Sequence, residues 1–333
     1  WADYYNQTEV SCAPVTENLS VPSSSTLGCP ISAATSSYAT LQALVRSAVV
    51  TGSNKRIGFE IVKQLAEARI KVVLTARDEQ RGLQALETLK ASGLSDFVVF
   101  HQLDVADVAS VAALAHFVKS QFGKLDILVD NARIGGVEIK YSNLFSSALI
   151  TNGQALSNDE LRSSMTQTYE STKECLQINY HGAKTTFEYL LPLLQLSDSP
   201  RVVNVSSALG KIEHVSNEWA KGVFGDVENL TEKKIDEVLK EFIKEFEEGS
   251  LERKGWPRYL AAYTVAKVSM HAIMETNVNF GSVSKEMLNN NICANDASLY
   301  VYTACFFEAV TEDKCPVIIV QFKQWNPGVI LEP

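Results

Sequence analysis

From Ser47 onward, short apolar runs rich in β-branched residues alternate with amphipathic stretches, the pattern of successive βαβ units feeding a parallel sheet. Strands are expected at Ser47-Ala48-Val49-Val50, Lys71-Val72-Val73-Leu74-Thr75, Phe97-Val98-Val99-Phe100, Leu125-Asp126-Ile127-Leu128-Val129, Arg201-Val202-Val203-Asn204-Val205 and Pro316-Val317-Ile318-Ile319-Val320. Between them Ile57, Ile61, Leu65 and Ala68 recur at helical spacing, as do Leu83, Leu86 and Leu89. Further helices run from Val108 to Phe117, through Cys175, Ile178 and Ala183, and through Tyr263. The expectation is an α/β fold, a doubly wound parallel sheet of Rossmann type, forming a single domain over residues 47–333.

Two inserts, about 137–170 and 208–258, interrupt the alternation, and residues 281–333 diverge from it. In the second insert a helix from Thr231 aligns Ile235, Val238, Leu239, Phe242 and Ile243 in one stripe, with Glu and Lys opposite. Such a helix reads either as a lid over a site or as a packed surface cover. Residues 1–46, rich in Ser and Thr and poor in acids, are read as an N-terminal extension outside the fold.

With 333 residues, 46% of them hydrophobic, the chain can bury a sizeable core. Its formal net charge of −9 speaks against nucleic acid or an anionic membrane as partner. No apolar run approaches the roughly eighteen residues of a membrane span. The six cysteines (Cys12, Cys29, Cys175, Cys293, Cys305, Cys315) form no C-x-x-C pair and no zinc-ligand spacing, so free thiols and no metal site are expected. Glycosylation tripeptides begin at Asn6, Asn18, Asn204 and Asn229, but such matches are frequent by chance, and a soluble, cytoplasmic protein is expected.

The turn Thr51-Gly52-Ser53-Asn54-Lys55-Arg56-Ile57-Gly58 stands where a dinucleotide fold needs it, between first strand and first helix. Gly52 and Gly58 allow a tight turn and the approach of backbone N–H groups to a pyrophosphate, with Asn54 and Ile57 in the same turn; an ordinary connection is the plainer reading. An NAD enzyme places an acid about twenty residues further on, whereas a 2′-phosphate calls for cations. Here the second strand ends in Thr75-Ala76-Arg77, with Lys55 in the facing turn, which favours NADP(H) over NAD. Two solvated cations, with Asp78 pairing Arg77, are the alternative. Asp104, after the third strand, is a candidate for the adenine amino group or an ordinary helix N-terminal acid.

Tyr263 and Lys267 are four apart and share a helix face. An ammonium at close range stabilises a phenolate, so such a pair can exchange a proton with a carbonyl or alcohol oxygen while hydride passes to or from nicotinamide. The lysine can also hold the nicotinamide ribose. Ser206 and Ser207 close the fifth strand at the carboxyl edge, where a hydroxyl can donate to a substrate oxygen, and Asn179 lies on the preceding helix, where it could hold a relay water. Each residue alone reads as structural; the four in this order do not.

The stretches Val72-Val73-Leu74-Thr75-Ala76-Arg77-Asp78, His101-Gln102-Leu103-Asp104-Val105, Leu191 to Pro200 and Asn204-Val205-Ser206-Ser207, with the long gap before Tyr263, resemble the short-chain dehydrogenase/reductase family. Within it, the segment Ser47 to about Val268 is similar to the plant branch of salutaridine reductase, neomenthol dehydrogenase and carbonyl reductase-like enzymes. The resemblance implies Tyr263 as acid/base, Lys267 as its activator, Ser207 as carbonyl binder and Asn179 as relay residue. It implies a turn built from Gly52, Asn54, Lys55, Ile57 and Gly58, with Arg77, Asp104, Asn131 and Lys267 as further contacts to NADPH. A small hydrophobic carbonyl or alcohol substrate, terpenoid- or alkaloid-like, follows, and a monomer, the insert before Asn179 covering the helix face used elsewhere for pairing.

The chain departs from the family pattern at Arg56, where the turn has Gly, and at Asp130-Asn131-Ala132-Arg133, where the pattern reads Asn-Asn-Ala-Gly. Asn326-Pro327-Gly328 replaces a Pro-Gly and Thr loop, and a last strand and helix are missing, which leaves an exposed sheet edge. The intact Tyr263, Lys267, Ser207 and Asn179 favour a ketone reductase. Arg56, Arg133 and the shortened end favour a non-catalytic relative that keeps the scaffold.

Overall fold

The computed structural model describes residues 46–139, 165–279, 293–294 and 317–322. The N-terminal extension, most of the first insert and the Asn326-Pro327-Gly328 loop lie outside these residues. Strands β1 (Ser47–Val50), β2 (Lys71–Ala76), β3 (Val98–Gln102) and β4 (Ile127–Asp130) alternate with helices α1 (Arg56–Glu67), α2 (Glu79–Leu89) and α3 (Val108–Phe122). The short strands β5 (Glu138–Ile139) and β6 (Met165–Thr166) pair antiparallel at the two ends of the first insert. Helices α4 (Tyr169–Leu176) and α5 (Ala183–Leu194) flank a π-helical turn, Gln177–Gly182, and β7 (Arg201–Val205) follows. The second insert contributes α6 (Glu218–Gly225) and α7 (Glu232–Glu247), ahead of α8 (Ala261–Asn279), β8 (Cys293–Ala294) and β9 (Val317–Phe322).

The seven-stranded sheet has the order β3-β2-β1-β4-β7-β9-β8 and is parallel at every pairing. Its inner strands are largely apolar because both faces are covered. Ala48, Val50, Ile127 and Val129 point into a core with Ile61, Val62 and Leu65 of α1 and Leu86 and Leu89 of α2. Val49, Val73, Leu128 and Val202 point the other way, toward α3, α4, α5, α7 and α8.

Beyond β9 the sheet carries β8, whose two residues pair with Gln321 and Phe322 at the end of β9. The two residues of β8 are too few to announce themselves by periodicity. The helix from Thr231 is part of the main core: Ile235, Val238, Leu239 and Phe242 are buried in it. Four such side chains are worth roughly 1.5–3 kcal/mol each, so lifting α7 as a lid would cost on the order of 6–12 kcal/mol. Helix α7 packs on both α4 and α8, while the insert before Asn179 lies mostly outside the described residues. Helix α7 is fastened by Lys184–Glu232 and by Tyr180 Oη to Asp236 at 3.5 Å. Asn204 is fully buried in β7, which makes its glycosylation tripeptide a chance match. Among the described residues no helix is long and apolar enough to cross a membrane.

Candidate active site

The glycine turn is held from three strands. Ser53 Oγ donates to Val50 O at 2.9 Å and accepts from Thr75 N at 3.0 Å. Just after β4, Asn131 Nδ2 donates to Thr51 O and Gly52 O, both at 2.9 Å, while Thr51 Oγ1 accepts from Asn131 N and Ala132 N at 2.9 and 3.0 Å. Asn131 thus acts on the turn through a clamp. Gly58 has no room for a side chain: a Cβ there would stand 2.5 Å from Asn131 Nδ2 and 2.8 Å from Ser53 Cα. Gly52 has φ +59, the left-handed region that glycine enters freely. Asn54 and Ile57 are half-buried in the turn, and Lys55 and Arg56 are exposed. Arg56 has φ 53, a conformation that a residue with a Cβ adopts at a cost, which marks the position as built for glycine.

Helices α2, α3, α4, α6 and α7 each begin with a side-chain cap, from Asp78, Asp107, Thr168, Asn217 and Thr231. Helix α1 does not: Lys55 offers no capping bond, and the first turn holds no acid. An uncapped N-terminus behind a clamped glycine turn fits the pyrophosphate of a dinucleotide.

At the end of β2, Arg77 is exposed and pairs with Glu174 at 3.6 Å. Asp78 is occupied elsewhere, capping α2 through Arg81 N at 3.0 Å and pairing with Arg81 at 3.7 Å, so the alternative in which it neutralises Arg77 does not hold. An exposed pair of this kind is worth about 0–1 kcal/mol, so a phosphate can displace Glu174 from Arg77. Asp104 accepts from Ala106 N at 3.0 Å within its own turn, and the cap of α3 is Asp107.

On α8, Tyr263 and Lys267 are both buried, at 7% and 1% exposure. Lys267 Nζ donates to Val205 O, the last residue of β7, at 2.8 Å and lies 6.0 Å from the centre of the Tyr263 ring. Burial, reinforced by the Arg133 cation and opposed by Cys175 and Asp130, lowers the amine to about 7. Ser207 follows β7, half-buried, its Oγ accepting from Leu209 N at 3.3 Å. Asn179 sits in the π turn, a geometry that recurs at functional sites. Its side chain is committed to the loop after β4: Oδ1 accepts from Ile134 N and Nδ2 donates to Ile134 O, both at 2.9 Å. Arg133, in that loop, is exposed. Since α8 packs on both the π turn and the 3-10 turn Ala208–Gly210, Tyr263, Lys267, Ser207 and Asn179 gather at the carboxyl ends of β4 and β7.

Sequence reasoning missed Asp130, Cys175 and His271 as parts of this site. Asp130 is buried at the end of β4, and burial pushes its carboxyl up to about 8 against the pull of Lys267. The Cys175 thiol, also buried, rises to about 12 and receives Asn179 Nδ2 at 3.2 Å. His271, one turn beyond Lys267, is lowered to about 4 by burial and then by Lys267, while it bonds to the Gly210 backbone. An acid closing an otherwise apolar strand was the one signal available.

Residues 46–219 match the sequence profile of the short chain dehydrogenase family. The (+)-neomenthol dehydrogenase of Arabidopsis thaliana is 53% identical over 228 residues, covering 68% of this chain and 75% of that protein. Among solved structures, salutaridine reductase from Papaver somniferum superposes with a TM-score of 0.66 at 47% identity, covering 71% of this chain and 82% of the other. The menthone neomenthol reductase from Mentha piperita gives 0.70 at 39% identity, covering 83% and 99%. Clamped glycine turn, parallel sheet order, profile and relatives agree: the chain belongs to the short-chain dehydrogenase/reductase family of oxidoreductases.

Proposed function

We propose that the protein reduces the ketone of a small hydrophobic, terpenoid- or alkaloid-like substrate to an alcohol, with NADPH as hydride donor and Tyr263 as acid/base. The observation that carries this reading is the buried Tyr263–Lys267 pair, with the amine fixed on Val205 O at the carboxyl edge of the sheet. Gly52, Asn54, Lys55, Ile57 and Gly58 would hold the pyrophosphate, with Asn131 bracing the turn from behind. Arg77 and Lys55 favour a 2′-phosphate, since Asp78 is spent on capping α2 and Glu174 is only an exposed partner of Arg77 that a phosphate can displace. Asp104 would meet the adenine. When bound, the cofactor supplies the hydride.

The residues of this chain do the rest. Ser207 donates a hydrogen bond to the substrate oxygen and stabilises the charge that develops there. Tyr263 gives that oxygen its proton, and Lys267 places a cation beside the phenol and holds the nicotinamide ribose. Asn179, its side chain locked to Ile134, serves the relay through its main chain in the π turn. The cover that α7 makes over α4 and α8 supports a monomer.

The test is loss of NADPH absorbance with a panel of cyclic ketones. Turnover by the wild type and its loss in Tyr263→Phe is the expected result. Equal turnover by the two proteins refutes the role of Tyr263. The strained Arg56 and the exposed Arg133 favour the second reading, a non-catalytic relative; no turnover together with weak NADPH binding would establish it.

A further inference from the structure

Strand β4 consists of the wholly buried Ile127, Leu128 and Val129 and then an acid, Asp130, at 4% exposure. The register of β4 on β7 sets Asp130 directly opposite Asn204, which is fully buried. By alternation both side chains fall on the face of Leu128 and Val202, where α8 packs. Asp130 Oδ2 and both polar atoms of the Asn204 amide are buried without a hydrogen-bond partner. One residue further along β7, Val205 O receives Lys267 Nζ at 2.8 Å. An acid, an amide and an amine thus meet at one sheet edge, and two of the three retain unused hydrogen-bonding capacity.

A lone carboxylate in such surroundings is costly unless a cation faces it or it takes up a proton. We infer that Asp130 is a positioning residue for Lys267, its carboxylate charge holding the amine in the ammonium form beside Tyr263 as the solution turns alkaline. The proton balance is simple: the Asp130 carboxylic acid releases its proton to solvent, and carboxylate and ammonium remain where carboxylic acid and ammonium stood.

The other groups around the amine do not substitute for Asp130. Arg133, from the loop after β4, opposes the lysine's charge. Cys175 on α4 and His271 on α8 are uncharged between about pH 6 and pH 9, because burial moves the thiol up to about 12 and the imidazole down to about 4. Asp130 is therefore the carboxylate that acts on Lys267 among the described residues. Burial raises the acid and lowers the amine, so that the two titrations are coupled.

The experiment has two arms. Infrared spectra of the cofactor-free protein, with 13C in its aspartate carboxyls, are recorded across the pH range. The expected result is an isotope-shifted band of a protonated carboxylic acid at pH 6, lost near pH 8 and absent from Asp130→Asn. No such band in the wild type, or the same band in the variant, overturns the inference. The kinetic arm rests on the proposed ketone reduction: the alkaline limb of kcat/KM in Asp130→Asn moves to lower pH by about one unit, as removal of a nearby opposite charge requires. Superimposed limbs overturn the coupling to catalysis. Because the infrared arm needs no turnover, its outcome is independent of whether Tyr263 reduces a ketone.

Discussion

Replacing Arg56 with Gly should make the protein more stable, although it deletes a charged side chain at the proposed cofactor turn. Arg56 is held at φ 53 at the first position of α1, exposed. A left-handed conformation costs a residue with a Cβ roughly 1–2 kcal/mol, which glycine does not incur. Glycine loses more backbone freedom on folding, which returns roughly 0.5–1 kcal/mol of that gain. The net expectation is a stabilisation of about 0.5–1 kcal/mol, a rise of roughly 1–4 °C in Tm for a domain of this size. Differential scanning calorimetry reads it directly. Arg56→Ala is the control, since alanine removes the guanidinium but keeps the strain, and it should give no gain. If Arg56→Gly is no more stable than Arg56→Ala, backbone strain is not what the position stores. NADPH titration of the same proteins adds a second reading: tighter binding by the glycine variant means that the side chain obstructs the turn, weaker binding that it contacts a phosphate.

Three other perturbations test the site by different physics. Gly58→Ala forces a methyl against Asn131 Nδ2 and the Ser53 backbone, so it should cost about 1–3 kcal/mol and weaken NADPH binding, both measurable by thermal shift with and without nucleotide. Asn131→Ala strips the donors from Thr51 O and Gly52 O; the expected loss is about 2–4 kcal/mol in urea unfolding, and a loss below 0.5 kcal/mol would show that the clamp is slack. His271 is neutral in the fold, with a pKa lowered to about 4 from 6.5, so an unfolded chain takes up its proton first. Its contribution is full above pH 6.5 and is lost as pH falls toward 4. His271→Asn should therefore lose roughly 2–3 kcal/mol less than the wild type between pH 7 and pH 4.5, and parallel stability curves would contradict the assignment.

Much of the scaffold could be read from the chain because burial writes itself locally. A strand covered on both faces must be apolar at every position, and β1, β2, β4 and β7 are nearly so. Tyr263 and Lys267 were legible because helical spacing alone puts them on one face. What escaped depends on distant neighbours. The stripe of α7 showed that one face is buried but not against what, so lid and core read alike. The partner of Arg77, Glu174, lies nearly a hundred residues away, and no local pattern predicts it. Asp107 rather than Asp104 caps α3, a choice between two acids three apart that backbone angles make. The π turn around Asn179 has no compositional signature, and the residue read as a water holder spends its amide on Ile134.

The missing cap on α1 has a consequence for the life of the protein outside the reaction. Helices α2, α3, α4, α6 and α7 finish their first turns with side-chain caps, whereas α1 has no such cap. A ligand that binds only the folded chain stabilises it by about 2.7 kcal/mol at a hundredfold excess over its dissociation constant. With a dinucleotide in that place, the fraction of chains open to proteolysis would fall when reduced nucleotide is plentiful and climb when it is scarce. The abundance of the protein would then follow the nucleotide supply of its surroundings.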